Sequence, residues 1–177
     1  MNISKLYQDE LDTFQIVHNI LIPHRKKRFQ TYNILPSSSS FADKNKKIYE
    51  SINPILVKAV EILNQYNFSN YDINNYCIEF HQRNCGFEKK PYQWSTWHND
   101  DYAAVHYKVY TILFYIRKDN TVKNGNLDYK LNKNKNIHTH IVTTGDILCF
   151  SGDLQHKPQK TSGFGCRDLI VLFIKRT

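Results

Sequence analysis

Tyr110-Thr111-Ile112-Leu113-Phe114-Tyr115-Ile116 is an unbroken run of apolar, aromatic and β-branched side chains. A strand with one wet face alternates apolar with polar residues, so a run without alternation is expected of a strand covered on both faces. It falls well short of the roughly 18 apolar residues that suggest a membrane span.

Strand-like pieces surround this run. Before it stands Tyr76-Cys77-Ile78-Glu79-Phe80-His81, followed by the charged loop Gly86 to Pro91. After it, Asp119 to Asn126 carries turn chemistry around Gly125, and Leu127 to Leu131 reads as a further strand. Asn132 to Asn136 is a Lys/Asn hairpin tip, and strands are expected at Ile137 to Thr143, Asp146 to Phe150 and Arg167 to Lys175.

The first part of the chain has a different period. Leu6, Leu11, Phe14, Ile16 and Val17 recur near helical spacing between Lys5 and Ile22, and Pro23 with Arg25-Lys26-Lys27-Arg28 ends that helix. Pro36 to Ser40 is the best linker candidate. Phe41 to Tyr66 carries Ile48, Ile52, Ile55, Leu56, Ala59, Val60 and Leu63 at helical spacing, with Pro54 as a kink or as the first turn of a second helix. Helices first and short strands afterwards, without β-α alternation, give an α+β class whose core is an antiparallel sandwich or barrel with the helices on one face. With 177 residues the chain is expected to be one domain, 1–177, with helical support over 1–70 and a β core over 75–177.

An apolar fraction of 41% with 14% aromatics supplies the buried surface of a folded chain. The formal charge of +8 and a pI near 9.2 favour an anionic partner: nucleic acid, an acidic protein segment or a small carboxylate. The basic residues are spread along the chain and mixed with Asn, as on a solvated surface. Cys77, Cys85, Cys149 and Cys166 form no C-x-x-C pair and read as free thiols of a reducing compartment. The N-terminus lacks a signal-type apolar core, so a soluble, cytoplasmic protein with no membrane partner is expected. A Gly-rich phosphate loop, a G-x-S-x-G elbow and an H-E-x-x-H motif are all missing from the sequence, which removes several other enzyme classes.

His98-Asn99-Asp100 carries the chemistry. Two residues apart on an extended backbone, His98 and Asp100 project from one face and can reach one ion, whereas Asp101 is turned away. His156, after the turn Ser151-Gly152-Asp153, is the natural third ligand. Two imidazoles and a carboxylate leave metal positions open, the arrangement of non-haem Fe(II) oxygenases. Arg167 shares a strand face with Leu169, Val171 and Phe173, so its guanidinium points into an apolar interior and needs an anion there. The anion is either a bidentate carboxylate ligand or a buried partner such as Asp146 or Asp153. His138-Thr139-His140 adjoins the Lys/Asn tip and reads as a surface strand, and His106 and Tyr107 are either mouth or loop surface.

In order along the chain, these residues resemble the 2-oxoglutarate- and Fe(II)-dependent dioxygenases, whose pattern is H-x-D, a distal His, and an Arg or Lys about ten residues later. Within that superfamily the chain is most similar to the prolyl-hydroxylase branch: Thr111 and Tyr115 match its strand after H-x-D, and Gly125-Asn126-Leu127 matches its Gly-Gly-x-Leu turn. Gly145 to Phe150 matches the strand before the distal His, and Gly165-Cys166-Arg167 the start of its last strand. The resemblance implies a double-stranded β-helix (jelly-roll, cupin-like) core and Fe(II) held by His98, Asp100 and His156. It also implies 2-oxoglutarate chelating that metal, with its far carboxylate on Arg167 and the Tyr115 phenol, and O2 as co-reactant. The chain departs from the pattern at Asn126, where the family has a second Gly. A second departure lies at Glu79 to Gln82 and Cys85-Gly86, which fit the usual Tyr-x-x-Gly segment poorly; Tyr92, Trp94 and Trp97 are candidates to fill that role or to line the substrate mouth, with packing the preferred reading of Trp97.

The implied reaction is oxidative decarboxylation of 2-oxoglutarate coupled to C–H hydroxylation, on a protein or peptide side chain of prolyl type. Nucleic-acid demethylation or hydroxylation is the enzyme alternative, against which Phe173 stands where that branch has a second Arg. A cupin-like binding protein without turnover is the non-enzyme alternative.

Overall fold

A computed structural model describes residues 1–22, 29–34, 46–85, 96–101, 107–131 and 136–177. The linker Pro36 to Ser40, the cluster Arg25 to Arg28, the loop Gly86 to Pro91, most of the tip Asn132 to Asn136, and Tyr92, Trp94 and His106 lie outside the described residues.

The apolar run lies in β4 (Val109–Lys118), where Val109 to Ile116 are all buried. Its neighbours are β8 (Asp146–Ser151) and β11 (Gly165–Arg176), both antiparallel to it. The sheet is completed by β1 (Asn2–Lys5) beside β8, and by β3 (Tyr71–Cys85) and β2 (Phe29–Ile34) beyond β11, giving the order β1-β8-β4-β11-β3-β2. A smaller antiparallel sheet faces it: β7 (Ile137–His140), β6 (Leu127–Lys130) and β9 (His156–Pro158), in the order β7-β6-β9. A bridge from His98 to His156 adds the H-x-D segment to its edge. The two-stranded ribbon β5 (Val122–Asn124) and β10 (Thr161–Gly163) links the sheets near the start of β11.

Strand alternation divides the large sheet into two cores. Tyr110, Ile112, Phe114 and Ile116 of β4 and Ile170, Leu172 and Ile174 of β11 face the helices α1 (Gln8–Leu21) and α2 (Lys46–Gln65). There they meet Leu11, Phe14 and Val17 of α1 and Ile52, Ile55, Ala59, Ile62 and Leu63 of α2; Phe14 stands edge-on to Phe114 at 5.3 Å. Val109, Leu113, Tyr115, Leu169, Val171 and Phe173 point the other way and close on Leu127 and Val142, between the two sheets. The helices thus cover one face of a jelly roll, as expected from the sequence.

Local chemistry sets the helix ends. The Glu10 carboxylate accepts the Tyr7 backbone N–H (2.8 Å), satisfying one of the donors a helix start leaves open, and it also pairs with Lys58 of α2 (2.7 Å). Helix α2 runs through Pro54 from Lys46 to Gln65, so Pro54 starts no second helix. The strand expected over Ile137 to Thr143 ends at His140, because the Thr143 N–H turns to the Asp146 carboxylate (2.7 Å). Burial puts the Cys77 and Cys149 thiols out of reach of ionisation, at about 12, and all four cysteines are free. Among the described residues no helix is long and apolar enough to cross a membrane.

Asp146 ties three strands together: its buried carboxylate pairs with Lys5 of β1 and accepts from His140 of β7 (2.9 Å). Burial alone would push this carboxyl up, but Lys5, the Thr143 N–H and His140 outweigh it and hold it below its ordinary 3.8. A depressed carboxyl contributes stability that is complete above 3.8 and is lost as pH falls through the lower folded value. The acid limb of a stability-versus-pH curve, from urea midpoints, is therefore expected to be shallower in Asp146→Asn than in wild type. Phe114→Ala, which empties the contact with Phe14, is expected to cost about 3–5 kcal/mol in the same assay.

Candidate metal centre and anion pocket

His98 and His156 face each other as a hydrogen-bonded antiparallel pair, each backbone N–H donating to the other's carbonyl (3.0 and 2.9 Å). Directly opposed residues of such a pair project to the same side, and the two imidazoles stand 4.3 Å apart, centroid to centroid. Asp100 follows on the same face, its N–H bonded to the Gly152 carbonyl (2.7 Å) while the Gly152 N–H bonds to the Val109 carbonyl (2.8 Å). A Cβ on Gly152 would fall 2.6 Å from Val109 Cγ2, so only glycine allows the H-x-D segment to sit this close to β4. Asp101 uses Oδ1 to accept the Val109 N–H (2.9 Å), fixing the loop and pointing away from the pair of histidines.

Asp100 Oδ1 lies 3.8 Å from His98 Nε2 and 3.7 Å from His156 Nε2, and the three ligand atoms all fall within 4.8 Å of one another. Metal bonds of about 2.0–2.2 Å let one ion bridge donors separated by up to about 4 Å. No other cluster of three such side chains exists among the described residues.

Each ligand is oriented by a bond to its other polar atom. His98 Nδ1 lies 2.8 Å from the Thr96 carbonyl and His156 Nδ1 lies 3.0 Å from that of Leu154. A carbonyl only accepts, so each Nδ1 carries the proton and each Nε2 presents its lone pair to the centre. The Thr111 hydroxyl donates to Asp100 Oδ2 (2.7 Å) and directs Oδ1 inward. Burial lowers the pKa of His156, which favours the neutral imidazole that a metal binds. The partner expected for each histidine is a carbonyl two residues upstream, and the sequence gives no sign of it because any residue supplies one.

Tyr129 sits opposite His156 on one side and His138 on the other, stacked on the His138 ring at 5.4 Å. No motif or spacing marks Tyr129; the pairing of β6 with β9 brings it beside His156. Trp97 packs against two lysines, with Lys130 and Lys157 over its ring at 4.1 and 5.3 Å. The exposed His138 fits its reading as strand surface, whereas His140 is partly buried against Asp146.

At the other end of the interior lies Arg167, 3% exposed. Its Nη1 donates to the Gly125 carbonyl (2.6 Å), and its Nε has no acceptor. Gly125 has φ +72°, and a Cβ there would press within 3.0 Å of Arg167 Nη1, so the turn needs glycine on both counts. Neither acidic residue considered as a buried partner pairs with the guanidinium: Asp146 is bonded to Lys5 and His140, and Asp153 is exposed. Tyr115, 1% exposed, opposes Leu169 on the same interior face; burial pushes its phenol up while the charges of Arg167 and Arg83 pull the other way. Arg83 was not singled out from the sequence because β3 runs to Cys85, four residues beyond the strand read from the pattern; it is buried opposite Arg167. A buried guanidinium with an unused N–H and, among the described residues, no carboxylate partner is an arrangement that a carboxylate ligand completes.

No protein-family profile and no curated protein sequence matches the chain. Solved structures do. An oxidoreductase of the 2OG-Fe(II) oxygenase family from Burkholderia pseudomallei aligns over 99% of this chain and 84% of its own, with TM-score 0.69 and 10% identity. A Pseudomonas putida prolyl-4-hydroxylase aligns over 99% and 92%, with TM-score 0.60 and 12% identity. A Neurospora crassa protein solved with alpha-KG and 5-formyluracil aligns over 99% and 74%, with TM-score 0.62 and 12% identity. The fold is therefore the double-stranded β-helix that these oxygenases have. Among them the prolyl-4-hydroxylase shares nearly its whole length with this chain.

Thr111→Val removes the bond that directs Asp100, and loss of such an outer-shell partner is expected to weaken metal binding about 10–100-fold. Mn(II) titration followed by electron paramagnetic resonance measures this, with an unchanged circular dichroism spectrum showing that the fold is kept.

Proposed function

We propose that this chain is an Fe(II)- and 2-oxoglutarate-dependent dioxygenase, with the metal on His98, Asp100 and His156 and the far carboxylate of 2-oxoglutarate on Arg167 and Tyr115. The observation that carries this reading is the pairing, in one interior, of a His-Asp-His set and a buried arginine that has no anion partner among the described residues. Either alone has ordinary explanations; together they match a ligand with a chelating end and a carboxylate end.

Bound Fe(II) supplies the oxidising chemistry, in which 2-oxoglutarate, O2 and a substrate C–H yield succinate, CO2 and the hydroxylated product. The protein's part is positional. His98, Asp100 and His156 would hold the metal through three donors, and a three-donor set would leave further positions for reactants. Thr111, Thr96 and Leu154 hold the three side chains in place before anything binds, so little reorganisation is needed. Leu113, Leu127, Val142, Leu169 and Val171 give an apolar lining that keeps water away from the reacting centre.

For the substrate, the reading is a protein side chain of prolyl type, supported by the likeness to the P. putida prolyl-4-hydroxylase over 92% of that protein. The second reading is a nucleobase, favoured by the +8 charge and by the likeness to the N. crassa protein solved with 5-formyluracil. Incubating the Fe(II)-loaded chain with 2-oxoglutarate and O2 against proline-containing peptides and modified oligonucleotides decides between them. Succinate formation that rises with a peptide and disappears in His98→Ala is the expected result. Turnover on oligonucleotides alone would replace the first reading with the second, and no succinate with any substrate would favour a cupin-like binding protein.

A further inference from the structure

Along β4 the side chains alternate: Val109, Thr111, Leu113 and Tyr115 face the small sheet, while Tyr110, Ile112, Phe114 and Ile116 face the helices. Unbroken alternation would place Arg117 inside and Lys118 outside. The register against β11 slips at this point. Leu169 opposes Tyr115, but Asp168 opposes Arg117 and Arg167 opposes Lys118, leaving Ile116 as an extra residue in β4. This is a β-bulge, a feature that re-aims the side chains after it. Ile116 and Arg117 both stay on the helix side, where Asp119 grips the Arg117 guanidinium through Nε and Nη2 (2.6 and 2.9 Å). Lys118 is turned to the interior side, directly across from Arg167.

The two cations bond to adjacent residues of one turn. Lys118 Nζ donates to the Val142 carbonyl (3.0 Å) and the Asn126 side-chain oxygen (3.3 Å), next to the Gly125 carbonyl that takes Arg167 Nη1. Asn126, the departure from the Gly-Gly turn, is thereby accounted for: its oxygen holds Lys118 and also the Val142 N–H (3.2 Å). Among the described residues no carboxylate lies within ion-pair distance of Lys118 or Arg167, in contrast to Arg117 one position earlier. Burial first, and then the neighbouring Arg167 charge, lower the Lys118 pKa and outweigh the opposing pull of Asp146.

We propose that Lys118 is a second anchor for the cosubstrate, so that the far carboxylate of 2-oxoglutarate is gripped jointly by Lys118 and Arg167. This rests on the 2-oxoglutarate reading of the site. One carboxylate has two oxygens; Arg167 offers its unpaired Nε–H and Lys118 an ammonium whose two bonds to neutral oxygens leave a third proton available. The bulge is what makes the joint grip possible, because it alone brings residue 118 to the interior side.

Isothermal titration of 2-oxoglutarate into the full chain loaded with Mn(II), which replaces iron without turnover, tests the proposal. Pyruvate, with the same chelating end but no far carboxylate, serves as the control ligand. Lys118→Met and Lys118→Gln, the latter keeping a donor for the turn but not the charge, are expected to weaken 2-oxoglutarate about tenfold to a hundredfold. Pyruvate and Mn(II) binding are expected to stay at wild-type strength, and Lys118→Arg to recover part of the loss. Unchanged 2-oxoglutarate affinity in both Met and Gln variants, with Arg167→Met weakened, would overturn the role of Lys118 alone. Equal weakening of pyruvate would reduce Lys118 to a support of the turn and likewise overturn it. A wild-type chain that binds no 2-oxoglutarate would overturn the underlying reading of the site.

Discussion

β4 and β11 are buried on both faces, and that constraint organises the molecule. A strand in this position needs apolar cover on each side, which the helices give on one and the small sheet on the other. The alternation of side chains then makes every second residue a lining residue of the inter-sheet space. Thr111, Tyr115 and Arg167 are thus delivered to the interior by the same register that sends Phe114 and Ile170 to the helices. A slip of one residue would exchange the two sets completely, so the hydrophobic packing of the helices also fixes the polar groups of the site.

The candidate centre stands at one end of this space, and buried Arg167 with half-buried Lys118 at the other. At the first end, the polar atoms are already occupied in the way metal binding requires, with Nδ1 of each histidine and Oδ2 of Asp100 bonded to the protein and the remaining donors converging. At the second end, among the described residues, the cations are bonded only to neutral oxygens of the 125–126 turn and residue 142. Both ends are incomplete as protein alone, since buried charge without a counter-charge is costly. The β-helix supplies rigid strands at both, and precision of this kind is easier to hold on strands than on loops.

Much of this was legible in the sequence because it rests on local pattern. The apolar run of β4, the alternation after Arg167 and the i, i+2 spacing of His98 and Asp100 are visible without any knowledge of what they pack against. His156 was found through its place after a strand and a turn. The missed features depend on tertiary pairing. β5, β9 and β10 have three residues each and no period of their own, and β1 exists only as an edge partner of β8. Tyr129 and Arg83 gain their positions from cross-strand neighbours, and Lys118 from a bulge that no pattern in β4 announces. Of the two readings of Pro54, a kink or the first turn of a second helix, the second fails: one helix runs through it, because packing of Ile52, Ile55 and Ala59 against the sheet overrides the local preference.

The most direct measurement is a diffraction experiment on crystals of the full chain grown with Mn(II) and 2-oxoglutarate, with an anomalous difference map locating the metal. One peak bonded to His98 Nε2, Asp100 Oδ1 and His156 Nε2 is expected, with density for the dicarboxylate running from it to the guanidinium of Arg167. A metal bound elsewhere, or a dicarboxylate whose far end lies away from Arg167, would contradict the claim that the two ends form one site.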